Sequence, residues 1–178
     1  MPNVHSSGRM RQEGVTLIEL MVALGVLAVL VALAVPSFRE ISINNRSANI
    51  TNTLLADLAA ARSEATKQQR PVTVRASAGG WSAGWELFLD FNGDGEINGD
   101  DVQLKTAGDI NQGHGPNNAF DLTSDADEIT YGGMGQLQAP NAVVVFSLCR
   151  PDGDADKSSG IRIDLNGRAQ SFKGVGGC

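Results

Sequence analysis

Between Val15 and Val35 the chain reads VTLIELMVALGVLAVLVALAV, a stretch in which Glu19 is the single charged residue. Coiled as a helix it is about 31 Å long, enough for the hydrocarbon core of a bilayer. A secretory signal would have a shorter apolar core with a small-residue cleavage site after it. Here Pro36, Ser37 and Phe38 lead into further helical sequence, so the span is expected to be retained. Arg9 and Arg11 precede it and mixed charges follow, which places the amino terminus on the cytoplasmic side and residues after about 38 outside.

Glu19 is the anomaly. A carboxylate in an apolar helix costs roughly 2.5–3.5 kcal/mol to insert, so either it snorkels to the headgroups or an opposite charge compensates it. Pro36 lacks an amide donor and crowds the preceding turn, which predicts a bend and a place where the helix melts locally. Beyond it Ile50, Leu54, Leu58, Ala61 and Ala65 recur at helical spacing, with Arg46, Asp57, Arg62, Glu64 and Lys67 interleaved. Gln68, Gln69 and Arg70 before Pro71 mark the end of that amphipathic helix.

After Pro71 the period shortens to β-like runs at Val72–Ser77, Trp85–Phe91, Val102–Thr106, Glu128–Tyr131, Ala142–Cys149 and Gly160–Leu165, with residues 107–127 reading as a polar loop. The expected fold is α+β, a long N-terminal helix whose second half packs on an antiparallel sheet. Its segments are 1–14 as a leader, 15–38 as the membrane half of the helix, 39–70 as the amphipathic half and 71–178 as a β-rich domain. At 178 residues, with 5% aromatics and 21 glycines, one modest core with many turns is expected.

The net charge of −6 argues against general nucleic-acid binding, which needs clustered Lys and Arg, although Arg162, Arg168 and Lys173 offer a local basic face. Cys149 and Cys178 are either two buried thiols or one disulfide. We read a disulfide, which closes a loop worth about 3.5 kcal/mol on the chain-entropy model and requires an oxidising compartment. The two histidines, His5 and His114, have no supporting catalytic constellation, and Trp81 and Trp85 suit a small core better than a ligand box. No enzyme is expected, and no cofactor is required.

Residues 90–101 match a calcium loop in ligand spacing, with oxygen side chains at the first, third and fifth places, Gly at the sixth and a carboxylate at the twelfth. Asp90, Asn92, Asp94 and Asp101 would bind through side chains, Glu96 through its carbonyl and Asn98 through water. The twelfth residue is Asp rather than Glu and the flanks read as strands, so the competing reading is a solvated hairpin connection.

Gly14 before V-T-L-I-E, then a long apolar helix with Pro36, resembles the type IV prepilin signature. The resemblance implies cleavage between Gly14 and Val15 by a prepilin peptidase, with methylation of the new amine; family members commonly start with Phe where this chain has Val15. It makes Glu19 the fifth mature residue, whose partner would be the Val15 amine of a neighbouring subunit in the same apolar layer. The stretch LLADLAAARSEATKQQRPVTVRAS, followed by Gly84-Trp85-Glu86-Leu87-Phe88 and the Asp/Asn/Gly loop, resembles the GspH/FimT family of minor type IV pilins and type II secretion pseudopilins. With the leader, the likeness covers about half the chain. It implies a single-pass bacterial inner-membrane subunit with a periplasmic domain, whose partners are other minor and major pilins or pseudopilins, and which primes or caps a filament and ends at its tip. The terminal cysteine pair and Gly167-Arg168 look more like the FimT/FimU branch than the secretion branch. Some FimT-like members are DNA receptors, but this chain lacks a dense basic tail.

Overall fold

The computed structural model describes residues 15–178. The leader, with Arg9, Arg11 and Gly14, lies outside them. Helix α1 runs over Leu17–Gln68 and passes Pro36 without interruption, so the local melting expected there is not found. A Pro removes one intrahelical bond, and the turns on either side keep theirs. The chain divides into two units, one ending at Ser42 and one running over Ile43–Cys178.

In the first unit the apolar window of α1 is exposed all round, as a segment matched to lipid must be. In the second unit α1 buries Ile43, Ser47, Ile50, Thr51, Leu54, Asp57, Leu58, Ala61 and Ala65, a face repeating every three to four residues. The five apolar positions read from the sequence all lie in it. Its polar members are each hydrogen-bonded: Ser47 Oγ lies 3.1 Å from Ser159 Oγ, Thr51 Oγ1 donates to the Ser47 carbonyl at 2.9 Å, and Asp57 accepts from Trp85 Nε1 at 2.9 Å. The helix ends where Gln69 takes a left-handed conformation (φ 52°) and the Arg70 N–H reaches back to the Ala65 carbonyl at 3.2 Å, a six-to-one closure that Pro71 prevents from continuing.

The strands are β1 (Val72–Ser77), β2 (Gly80–Leu89), β3 (Val102–Ala107), β4 (Asp121–Ser124), β5 (Glu128–Tyr131), β6 (Leu137–Ala139), β7 (Val144–Cys149), β8 (Ser159–Ile163) and β9 (Ala169–Lys173). They form two antiparallel sheets rather than one, ordered β3-β2-β1-β5-β6 and β4-β7-β8-β9. Residues 107–127 are correspondingly not one polar loop: they contain β4 and a 3₁₀ turn at Pro116–Asn118, and Phe120 and Leu122 are buried. Arg46 pins this connection by donating to the carbonyls of Asn118 and Ile110, at 2.6 and 2.8 Å, with its guanidinium 5.0 Å from the centre of the Phe120 ring.

The two sheets share one core with the helix. Trp81 meets Phe146 edge-on at 4.7 Å and donates its indole N–H to the Ala126 carbonyl at 2.8 Å; Trp85 is buried against Asp57. Both tryptophans fill the core, as their sequence context suggested. The outer face of the five-stranded sheet has a second small buried layer. There the connection between β2 and β3 folds back over the sheet, and Phe88, Thr73, Asp90 and Thr130 are all sealed beneath it.

Candidate functional site

At the start of α1, Glu19 and Thr16 bond reciprocally. The Glu19 N–H donates to Thr16 Oγ1 at 3.3 Å, and the Thr16 N–H and hydroxyl both reach Glu19 Oε2 at 3.5 Å. This is a capping box, in which one residue's hydroxyl and another's carboxylate satisfy otherwise orphaned helix donors. A Thr three residues before a Glu was its sequence signal. The carboxylate therefore has partners inside its own chain and sits at the positive end of the helix dipole, which offsets part of its cost in an apolar layer.

The residues 90–101 are built from the backbone outward. Asp90 is 2% exposed and its carboxylate accepts from the N–H groups of Gly93 and Gly95, the latter at 3.0 Å, and from the Thr73 hydroxyl at 3.3 Å. Gly95 has φ +75°, and a Cβ there would lie 2.1 Å from Glu128 Oε2, so the sixth position both turns left-handed and touches the sheet. Its carbonyl accepts from Arg75 at 3.0 Å. Asp101 accepts from the N–H groups of Phe91 and Asn98 at 2.8 and 3.0 Å.

Asp90, Asp94 and Asp101 converge, with one oxygen from each within 4.8 Å of the others. The other three donors read from the sequence surround this group differently from the expectation. Asn92 and Asn98 turn their amide nitrogens to Asp94 Oδ2, at 2.7 and 2.8 Å, and Glu96 donates its N–H to Asp94 at 2.8 Å. These donors hold the Asp94 carboxyl below its ordinary range, the Asn98 amide contributing most. Three converging hard oxygens suit a divalent cation such as calcium, and a half-turn of each Asn amide would present oxygen in place of nitrogen.

Cys149 and Cys178 form a disulfide with an S–S length of 2.05 Å, which ties the tail to β7. Next to it Arg150, whose side chain is fully buried, forms a fork with Asp152 and also donates to Asn44 Oδ1 on α1. The guanidinium lowers the Asp152 carboxyl to about 2. No sequence pattern pointed to Arg150. The Gly167-Arg168 element has a structural reason: Gly167 is left-handed (φ +79°), and a Cβ would lie 2.1 Å from the Gly135 carbonyl oxygen. Arg62 of α1 donates to that carbonyl at 2.7 Å and to the Asn166 carbonyl at 2.9 Å, so one side chain joins turns of both sheets. Of the basic residues anticipated as one face, Arg162 is paired to Asp164 and Lys173 is turned to Ser159 and the Lys157 carbonyl.

Residues 51–167 match the family described as type II transport protein GspH, and residues 9–35 match the prokaryotic N-terminal methylation motif. The chain belongs to the GspH family. Its members are structural subunits of the minor pilin and pseudopilin kind, not enzymes. The fold is that of the type IV minor pilin FimU of Pseudomonas aeruginosa, in two crystal forms. One aligns with a TM-score of 0.60 at 22% identity, covering 73% of this chain and 90% of that one. The other gives 0.56 at 22% identity, over 71% and 92%. No curated protein sequence matches the chain. The expected α+β pilin architecture is borne out, with the sheet count corrected, and the N-terminal apolar helix is consistent with membrane anchoring.

Proposed function

We propose that this GspH-family protein is a minor pilin of the FimT/FimU type that primes or caps a type IV pilus. A prepilin peptidase cleaves between Gly14 and Val15 and the new amine is methylated. The span from Val15 to residue 38 then crosses the inner membrane once, leaving the β-rich domain in the periplasm until assembly carries it to the filament tip. The observation that carries this reading is the methylation motif joined to a helix exposed all round up to Arg39, with one carboxylate in its first turn, in front of a GspH domain. In a filament, Glu19 exchanges its weak internal bonds to Thr16 for the Val15 amine of a neighbour, and the pair offsets the burial of both charges.

The test is Glu19→Ala in cells that assemble the filament. Membrane insertion should be retained, while recovery of the protein with other minor pilins falls at least about tenfold, the scale set by losing one buried charge pair. Unchanged recovery would favour a carboxylate that only snorkels. The second reading, a pseudopilin of a type II secretion system, is supported by the description of the matching family. It would be chosen if the chain co-purified with secretion subunits instead of pilus subunits.

We further propose that the loop takes one calcium ion through Asp90, Asp94 and Asp101, completed by Asn92, Asn98 and the Glu96 carbonyl. Support comes from the convergence of three carboxylates at calcium-loop spacing.

A further inference from the structure

The five-stranded sheet ends at β3, and among the described residues β3 is paired on one side only, with β2. Its other side is a row of backbone donors and acceptors that a further strand can complete. Exposed edges in natural proteins are commonly guarded by a lysine, and β3 has one, Lys105. Its ammonium, however, is paired with the buried Asp57 carboxylate of α1, while the side chain stays about half exposed. Val102 and Leu104 remain 46% and 40% exposed. A register shift opposite Leu87 and Phe88 sets Leu104 outside the β2 ladder. Two other edges differ: β6 has three residues and β4 packs against β2.

Beside β3 runs a depression of about 410 Å³, lined by Asn49, Asn52, Thr53 and Ala56 of α1, with Asp57 and Lys105. The lining is amide, hydroxyl and methyl, and its two charges neutralise each other. Just before β3, the exposed Asp100 leaves a negative end. We infer that β3 is the docking edge for an extended segment of a neighbouring pilin subunit, which adds a further strand outside β3. That segment is uncharged where its side chains enter the depression and carries a Lys or Arg where it meets Asp100. Backbone pairing supplies the affinity, and the depression and the acidic end supply the selectivity. A single short strand binds weakly from solution. Two subunits anchored in one membrane meet at effective concentrations on the order of millimolar, where weak pairing is sufficient.

The inference rests on the proposed pilin function, and the experiment separates the two. A photo-crosslinking amino acid replaces Gln103 in the full-length chain, in cells that assemble the filament, and crosslinked peptides are identified by mass spectrometry. The expected product joins β3 to an extended segment of a different pilin subunit bearing a basic residue at one end. Amide exchange at residues 103–106 should slow by about tenfold or more in the assembled complex, as for newly paired strands. Val102→Lys with Leu104→Lys should remove the crosslink without lowering the melting temperature. If the chain co-purifies with pilins in a Glu19-dependent way but Gln103 gives no crosslink, or crosslinks to a second copy of this chain, the inference is overturned while the function stands. If the chain does not associate with pilins at all, both fall.

Discussion

The two stretches of α1 share a backbone and differ in everything around it. From Leu17 to Ile41 the large apolar side chains face outward, Leu17 at 79% and Phe38 at 74% exposure, whereas Leu54, Leu58, Ala61 and Ala65 are at 0%. The first stretch is apolar on every side and carries one carboxylate in its first turn. The second is apolar along one face and places Asn, Thr, Ser and Ala on the other. The first is therefore suited to a lipid or protein surround supplied from outside the chain, while the second is stabilised by the chain's own sheets. A change in the second should alter folding without touching anchoring, and a change in the first should do the reverse.

Truncation at matched leucines is the strongest way to break this contrast. Leu58→Ala should lower the stability of the domain by about 2–5 kcal/mol, because it empties a fully packed site. Leu27→Ala should leave the melting temperature unchanged, since among the described residues Leu27 is 54% exposed. Thermal melts of both variants in detergent, with membrane fractionation of each, measure the two effects; equal losses would show that the helix folds as one packed body.

Much of this division was legible in the sequence. The helical face at Ile50, Leu54, Leu58, Ala61 and Ala65 followed from spacing alone, and β1 and β5 have the anticipated bounds because Pro71 and the glycines after Tyr131 delimit them. The strands that were missed have weak local signals. β4 buries Leu122 among polar residues, β6 has three residues, and β9 is largely exposed. The second sheet was invisible for a different reason: β7 pairs with β4 and β8, and β1 with β5, and such long-range pairing is not written in any one segment's period. In the loop, spacing identified the acidic residues but not that Asp90 is buried against Thr73, a contact set by how the connection folds back on the sheet.

That burial decides how the calcium proposal is tested. With three protein donors on its carboxylate, Asp90→Ala would itself destabilise the domain. Asp94→Asn, at an exposed position, is the cleaner variant. At one hundred times Kd the wild type should gain roughly 2.7 kcal/mol from calcium, seen as a melt several degrees higher than in chelator. Asp94→Asn should lose most of that shift. Membrane association should not change with calcium, which keeps the effect on the folded side of the contrast. Identical melts of the wild type in millimolar calcium and in chelator would leave the loop a hairpin connection.

A smaller effect is expected in acid. Asp152 titrates near 2 in the folded domain and near the ordinary carboxylate value when unfolded. A depressed folded value means that its stabilising share is complete above about pH 4 and is lost as pH falls toward about 2. Asp152→Asn should therefore flatten the acid limb of a melting-temperature profile, while the anchor stays in the membrane across the range. An unaltered acid limb would mean that the Arg150 fork does not contribute to folding.

The central claim is that the exposed apolar stretch begins at a processed terminus made for a filament. Mass spectrometry of this chain recovered from sheared filaments tests it most directly. The account predicts an N-terminal peptide that begins at a methylated Val15. An intact Met1 terminus in cells with active prepilin peptidase would contradict it.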